Sequence, residues 1–281
     1  PEAIASIRNN DRQIALVLEK LEALGLGDKT NIMVVSDHGF AQTVFNVNVS
    51  RALVDAGLLP SADSDEIVIA TSGQAVALHV KDRSRIPAVV RFLQRQAWCG
   101  VVFTAAKKGG APHVGAVAGT FSLEYAHLGG HKRSPDIVFT FPWTSAQNRH
   151  GVRGTETSMV SGTRATGAYD GTGAGHGGIG PWTVRNTMFA WGPAFKRSAT
   201  VRTPTANVDV TPTLLHLLGL PDAAKGMDGR VIAEALANGP DEEQVAMDTR
   251  TLRAKSGSYS AVLQVTETNG KRYIDKGWRE R

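Results

Sequence analysis

The chain alternates between stretches with a clear hydrophobic period and stretches with none. Ile4, Ile7, Ile14, Leu18, Leu21 and Leu24 recur at the spacing of one helix face, which predicts an amphipathic helix over residues 4–24, closed by Gly25 and Gly27. Residues 31–35, Asn-Ile-Met-Val-Val, then form an apolar run rich in branched side chains, the signature of a buried strand. That run stops abruptly at Ser36-Asp37-His38-Gly39. Residues 47–60 predict a short helix with Ser50 as its cap and Gly57 as its end.

From Glu66 to Thr104 the pattern changes. Residues 67–69, 75–80 and 101–104 read as strands and residues 86–96 as a helix, so a small α+β subdomain is predicted as an insertion at about 60–130. Residues 137–141 follow as a second core strand. Residues 142–174 are rich in Gly, Thr and Ser without apolar periodicity, and a loop of that length inside a compact domain is usually functional. Residues 187–192 read as a third core strand. In residues 211–219, Thr211 is the predicted N-cap, Pro212 the first helical residue and Gly219 the terminator, with Asp209 tying down the helix entry and His216 structural. Residues 259–274 predict a hairpin about Asn269-Gly270. Strands interleaved with helices place the chain in the α/β class.

Composition narrows the function classes. With 281 residues, 42% hydrophobic and 20% charged, the chain is long enough for one large domain or two small ones. A net charge of +5 suits an anionic substrate, but Lys and Arg are scattered, so no nucleic-acid polymer is expected as partner. No apolar run approaches the ~20 residues of a membrane span. Cys99, the single cysteine, lies in apolar surroundings and reads as a buried inert thiol, which excludes an internal disulfide and a cysteine-based metal site.

Two short stretches carry chemistry. Asp37 and His38 stand just beyond the carboxyl end of a strand, where α/β proteins place ligands. A carboxylate oxygen beside an imidazole nitrogen suits zinc and similar divalent metals. The alternative is a strand end with a capping Asp and a surface His. Gly39 lets the chain turn away from the strand without a Cβ clash. His176 lies in Gly173-Ala174-Gly175-His176-Gly177-Gly178-Ile179-Gly180, where flanking glycines permit close backbone approach around the imidazole; the alternative is a flexible glycine loop. His79 reads as a packing or edge residue of its strand. His113, His131, His150 and Asp170 lie in loops with nothing to single them out.

Three segments in order change the picture: Val34-Val35-Ser36-Asp37-His38-Gly39, Gly175-His176-Gly177-Gly178, and Val208-Asp209-Val210-Thr211-Pro212-Thr213-Leu214-Leu215-His216-Leu217-Leu218-Gly219. Together they resemble the C-terminal part of the alkaline phosphatase superfamily, closest to its type I phosphodiesterase/nucleotide pyrophosphatase branch. The resemblance implies an alkaline phosphatase-like core over residues 1–281, incomplete at its N-terminus, with a central, mainly parallel sheet flanked by helices. It implies metal-dependent hydrolysis of a small anionic phosphate ester. Two divalent metal ions, usually zinc, would be held by Asp37 and His38 on one and His176 on the other. The family's Thr or Ser nucleophile and its remaining ligands match nothing in this sequence and are expected upstream of Pro1. By the same resemblance a periplasmic or secreted location is expected. Phosphomonoesters, phosphonates and sulfate esters stay open as substrates, and so does a non-catalytic module that binds an anion or a partner.

Overall fold

The predicted amphipathic stretch forms helix α1 (Glu2–Ala23), and Gly25, at a φ of 66°, ends it. The computed structural model describes residues 2–148, 150–169, 171 and 173–280. Next in chain order come β1 (Ile32–Val35), β2 (Ala41–Asn48), α2 (Val49–Asp55), β3 (Ile67–Thr71), β4 (Ala75–Val80), α3 (Ile86–Arg95), β5 (Val102–Thr104) and β6 (Phe121–Ser122). They are followed by β7 (Ile137–Thr140), β8 (Trp143–Gln147), β9 (Arg153–Val160), β10 (Gly167–Ala168), β11 (Ala174–Gly175), α4 (Pro181–Val184), β12 (Met188–Trp191) and α5 (Val210–Leu217). The chain ends in β13 (Met247–Ser256), β14 (Tyr259–Thr268) and β15 (Lys271–Arg279).

The chain folds as two units: residues 1–36, 187–247 and 268–271, and residues 37–186, 248–267 and 272–281. In the first, β1 and β12 form an antiparallel ladder from Ile32 opposite Trp191 to Val35 opposite Met188. All four residues of β1 are half-buried, where the sequence predicts full burial. Among the described residues the ladder has two strands only, so β1 is an edge strand with no second neighbour to cover it. Helix α5 starts two residues earlier than expected. Its N-cap is Asp209, not Thr211, because a 3-10 turn (Asn207–Asp209) leads straight into it. Asp209 does tie down the entry: one carboxylate oxygen accepts from the Ala206 N–H and the other from the Arg230 N–H, both at 2.8 Å. His216 is exposed.

The second unit holds the hydrophobic core. Strands order as β3-β4-β7-β5-β6 in one sheet, which α3 covers with Val89, Val90, Phe92 and Leu93. These side chains pack with Leu78, Phe103, Phe121, Phe139 and Phe141, and with Tyr259, Ala261, Leu263 and Val265 of β14. The elements predicted over 66–104 are all present. Strand β7, expected as a separate core strand, lies between β4 and β5 in this sheet. Strands β14 and β15 meet at Asn269-Gly270, both at positive φ (49° and 71°), as the predicted hairpin turn requires.

A further sheet places the candidate site. Strand β2 pairs in parallel with β9 on one side and antiparallel with β10 and β11 on the other, and β8 lies beyond β9. Residues 142–174 therefore carry β8, β9, β10 and the start of β11, where the sequence predicts a loop throughout. Strand β9 escapes a periodicity reading because Gly154, Thr155, Glu156, Thr157 and Ser158 are buried in succession, so buried and polar coincide. The helix after β2 is capped by Asn48, whose side-chain carbonyl oxygen accepts from the Arg51 N–H, while Ser50 donates to the same oxygen. Among the described pairs only β2–β9 and β5–β6 are parallel. The architecture is thus mixed α/β with several sheets, and a mainly parallel central sheet is not displayed. Short turns such as those joining β3 to β4 and β8 to β9 force antiparallel neighbours, since parallel pairing needs a long crossover.

Candidate metal centre

Asp37, His38 and Phe40 immediately precede β2, and His176 immediately follows β11. Gly175 pairs with Ala41, so the β2–β11 ladder closes the long sequence gap between the two motifs. The rings of His38 and His176 stack at a centroid distance of 3.8 Å and an interplanar angle of 14°. Phe40 meets both edge-on, at 4.9 Å and 5.8 Å. The two sequence motifs are thus brought into one site.

Local hydrogen bonds fix how His38 faces. Its Nδ1 lies 3.0 Å from the Gly39 carbonyl oxygen, and its Nε2 lies 3.3 Å from Asp37 Oδ2. Both ring nitrogens therefore face oxygen acceptors, and a neutral imidazole has one N–H to give. With Nδ1–H given to the carbonyl, Nε2 is left as an acceptor beside the Asp37 carboxylate. Gly39 serves close approach, not a left-handed turn. Its N–H donates to the Thr183 carbonyl (3.0 Å), and a Cβ there would overlap the carbonyl oxygens of Trp182 and Arg185.

Close approach also accounts for the glycines around His176, and Gly177 takes a positive φ besides. The His176 carbonyl accepts from the Gln74 N–H at 2.9 Å. Gly177, at a φ of 89°, passes so close to Ser72 that a side chain would strike the Ser72 carbonyl oxygen. A Cβ on Gly178 would overlap the carboxyl of Glu156, and one on Gly180 would meet the Trp143 ring at 2.8 Å.

Nothing in the sequence singles out Glu156. It is 1% exposed, and neither carboxyl oxygen has a hydrogen-bond partner among the described residues. Burial pushes its pKa up to about 9. A lone acid among threonines gives no local signal; only the glycines of the facing loop hint that something is pressed against them.

A recess of about 190 Å³ is lined by Phe40, which also touches both histidines, and by Gln42, Asn148, His150, Arg153 and Ala174 among others. His131 lies apart, in a second recess with Arg83, Glu124, Lys132 and Asp136. His79 stands in β4 opposite Val68, as a strand residue, and His113 packs edge-on against Tyr125 at 5.9 Å. Asp170 lies outside the described residues.

The sequence model of the family described as type I phosphodiesterase / nucleotide pyrophosphatase matches residues 1–166. The chain belongs to this phosphodiesterase family. The match includes Asp37 and His38 and ends before His176. No curated protein and no solved structure matches the chain. Membership of the phosphodiesterase/nucleotide pyrophosphatase family points to hydrolysis of phosphate esters.

The donor set can be tested against a metal. Ligand atoms at ~2.0–2.2 Å from one zinc ion, set at a tetrahedral angle, lie about 3.4 Å apart. The 3.3 Å between His38 Nε2 and Asp37 Oδ2 fits such a shared edge. The Nδ1 contact to Gly39 is the usual outer partner of a metal-bound imidazole. Nitrogen lone pairs lie in the ring planes, and the planes of His38 and His176 are nearly parallel, 14° apart. The set is partial: among the described residues no three His, Cys, Asp or Glu side chains gather closely enough to hold an ion. Among these residues, too, no helix is long and apolar enough to cross a membrane.

Proposed function

We propose that this phosphodiesterase-family chain contributes to a two-metal centre that hydrolyses small anionic phosphate esters of the phosphodiester or nucleotide pyrophosphate type. Asp37 and His38 would hold one divalent cation and His176 the other, with zinc as the metal whose donor preferences and bond lengths suit them. The observation that carries this reading is the pair of parallel imidazoles beside a carboxylate at ligand-edge distance. Divalent cations held there would supply charge stabilisation for the attacking and leaving oxygens of the ester.

The chain's own residues supply placement. The Gly39 carbonyl holds the His38 Nδ1 proton and leaves Nε2 for a cation. Phe40 packs edge-on against both rings. Arg153, on the recess that Phe40 also lines, gives an anionic ester a positive charge beside an apolar floor, with His150 on the same wall. No Ser or Thr of this chain is assigned the role of nucleophile. The reading extends to the fold, an alkaline phosphatase-like core in which residues from about 60 to 130 are inserted. A second reading, an anion-binding module without hydrolysis, is favoured by the partial ligand set.

The test combines metal and activity. Asp37→Ala and His176→Ala should each weaken zinc binding, measured calorimetrically on the 281-residue chain, by about 10-fold or more. In the catalytically competent protein both should abolish hydrolysis of bis(p-nitrophenyl) phosphate. Near-normal hydrolysis by either variant would overturn the assignment. Zinc binding without any hydrolysis would favour the second reading.

A further inference from the structure

Glu156 stands out because its cost has no local return. A hydrocarbon side chain would fill the same buried space without leaving two carboxyl oxygens unmet, and unmet buried polar groups are expensive. The carboxyl is seated at one particular place: against Gly178, two residues after His176, where there is no room for even a methyl group. Gly178 does not have a positive φ, so clearance alone forbids a side chain there.

Strand β9 reaches His176 by a second route. The Met159 N–H donates to the Gly73 carbonyl at 2.8 Å, and the next residue, Gln74, donates its N–H to the His176 carbonyl at 2.9 Å. Gly154, Glu156 and Ser158 share one face of β9, since side chains alternate along a strand. That face meets Trp182 at Gly154, Gly178 at Glu156, and Gly73 at Ser158. The loop carrying His176 is therefore laid along a polar strand, with Glu156 at the middle of the contact.

We propose that Glu156 is a positioning residue for His176: its carboxyl, wedged beneath Gly178, sets the level of the residue 175–180 loop and with it the stacking of His176 on His38. This deepens the metal-centre reading above and rests on it for its functional meaning. The geometric claim itself needs neither metal nor turnover. Glu156 touches no reacting atom; it acts through the loop.

A double-variant cycle tests it in the full chain. Gly178→Ala adds a methyl where the carboxyl sits, Glu156→Ala removes the carboxyl, and Glu156→Gln keeps the shape. The first readout is the His176 imidazole resonance in NMR spectra, which the ring currents of His38 and Phe40 displace. His79 serves as a control for global folding. The second readout is zinc affinity.

Gly178→Ala is expected to move the His176 resonance and weaken zinc binding by about 10-fold or more, the usual scale for a lost supporting contact. Combining it with Glu156→Ala should bring both back towards wild type, and Glu156→Gln alone should leave both in place. If Gly178→Ala does not fold, Glu156→Ala alone should shift the resonance while His79 stays put. An unmoved His176 resonance in a folded Gly178→Ala or Glu156→Ala chain would overturn the proposal. So would a double variant no closer to wild type than Gly178→Ala. If the wild-type chain binds no zinc, the metal reading fails, and the His176 resonance still decides the positioning role.

Discussion

Replacing Glu156 by Gln removes one titration and almost no volume, which makes the energetic consequence of this buried acid measurable. The ordinary value for the carboxyl is 4.5, and burial raises it to about 9 in the folded chain. Between those limits the folded chain keeps a proton that the unfolded chain has released. Rising pH therefore favours unfolding, and each unit contributes about 1.4 kcal/mol. At pH 7, roughly 2.5 units above the unfolded value, the wild-type chain carries a penalty of about 3 kcal/mol that Gln lacks. Below pH 4.5 both states hold the proton and the pH-dependent penalty vanishes. Gln brings buried amide groups of its own, whose cost is about 1–3 kcal/mol but does not vary with pH. The slope is therefore the quantity to read. Urea unfolding of both chains should show the Gln variant gaining about 4 kcal/mol relative to wild type between pH 5 and pH 8. A difference that stays constant across that range would refute the reasoning, since it would mean that Glu156 is ionised in the folded chain.

Arg230 and Glu234 make the opposite case. They form a two-pronged ion pair at 2.6 and 2.9 Å with side chains 4% and 0% exposed. Arg230→Ala should cost about 3–5 kcal/mol in urea unfolding, because it strands a buried carboxylate. Burial acts to raise the Glu234 pKa, but the hydrogen bonds and charge of Arg230 outweigh it and the net shift is downward. The pair's stabilisation is therefore complete above the ordinary carboxylate value and lost as pH falls through the lowered one. Arg230→Ala should accordingly move the acid unfolding transition to higher pH. Gly39→Ala places a methyl against the Trp182 and Arg185 carbonyls, so it should lower the thermal midpoint and weaken zinc binding by about 10-fold or more. Unchanged zinc affinity in a folded Gly39→Ala chain would show that the His38 backbone does not set the ligand geometry.

Much of this architecture is written locally. Helix α1, the elements over 66–104, helix α5 and the final hairpin each carry a period or a turn signal within their own residues. What escapes depends on contacts between distant residues. Strand β9 is buried, yet its inward positions are Gly, Thr, Glu and Ser, so no contrast of apolar and polar marks it. The helix after β2 takes its cap from Asn48 instead of Ser50, because Asn48 also donates to the carbonyls of Gly162 and Arg164, far along the chain. The pairing of Asp37 and His38 with His176 is legible from the motifs. Their stacked geometry is not, because it depends on the β2–β11 ladder, two residues wide.

The glycines carry more information than a reading of flexibility extracts. Of Gly39, Gly177, Gly178 and Gly180, only Gly177 occupies the left-handed region. The other three are glycine because carbonyl oxygens, a carboxyl or an indole ring stand where a Cβ would be. A run such as Gly175-His176-Gly177-Gly178-Ile179-Gly180 therefore states that the segment is pressed onto a surface, and leaves that surface to be found elsewhere in the chain. Here it is the Ser72–Gln74 turn and the polar face of β9. The same clearance that admits no methyl leaves His176 little room to drift, so a run that looks flexible in the sequence is held in place by the structure around it.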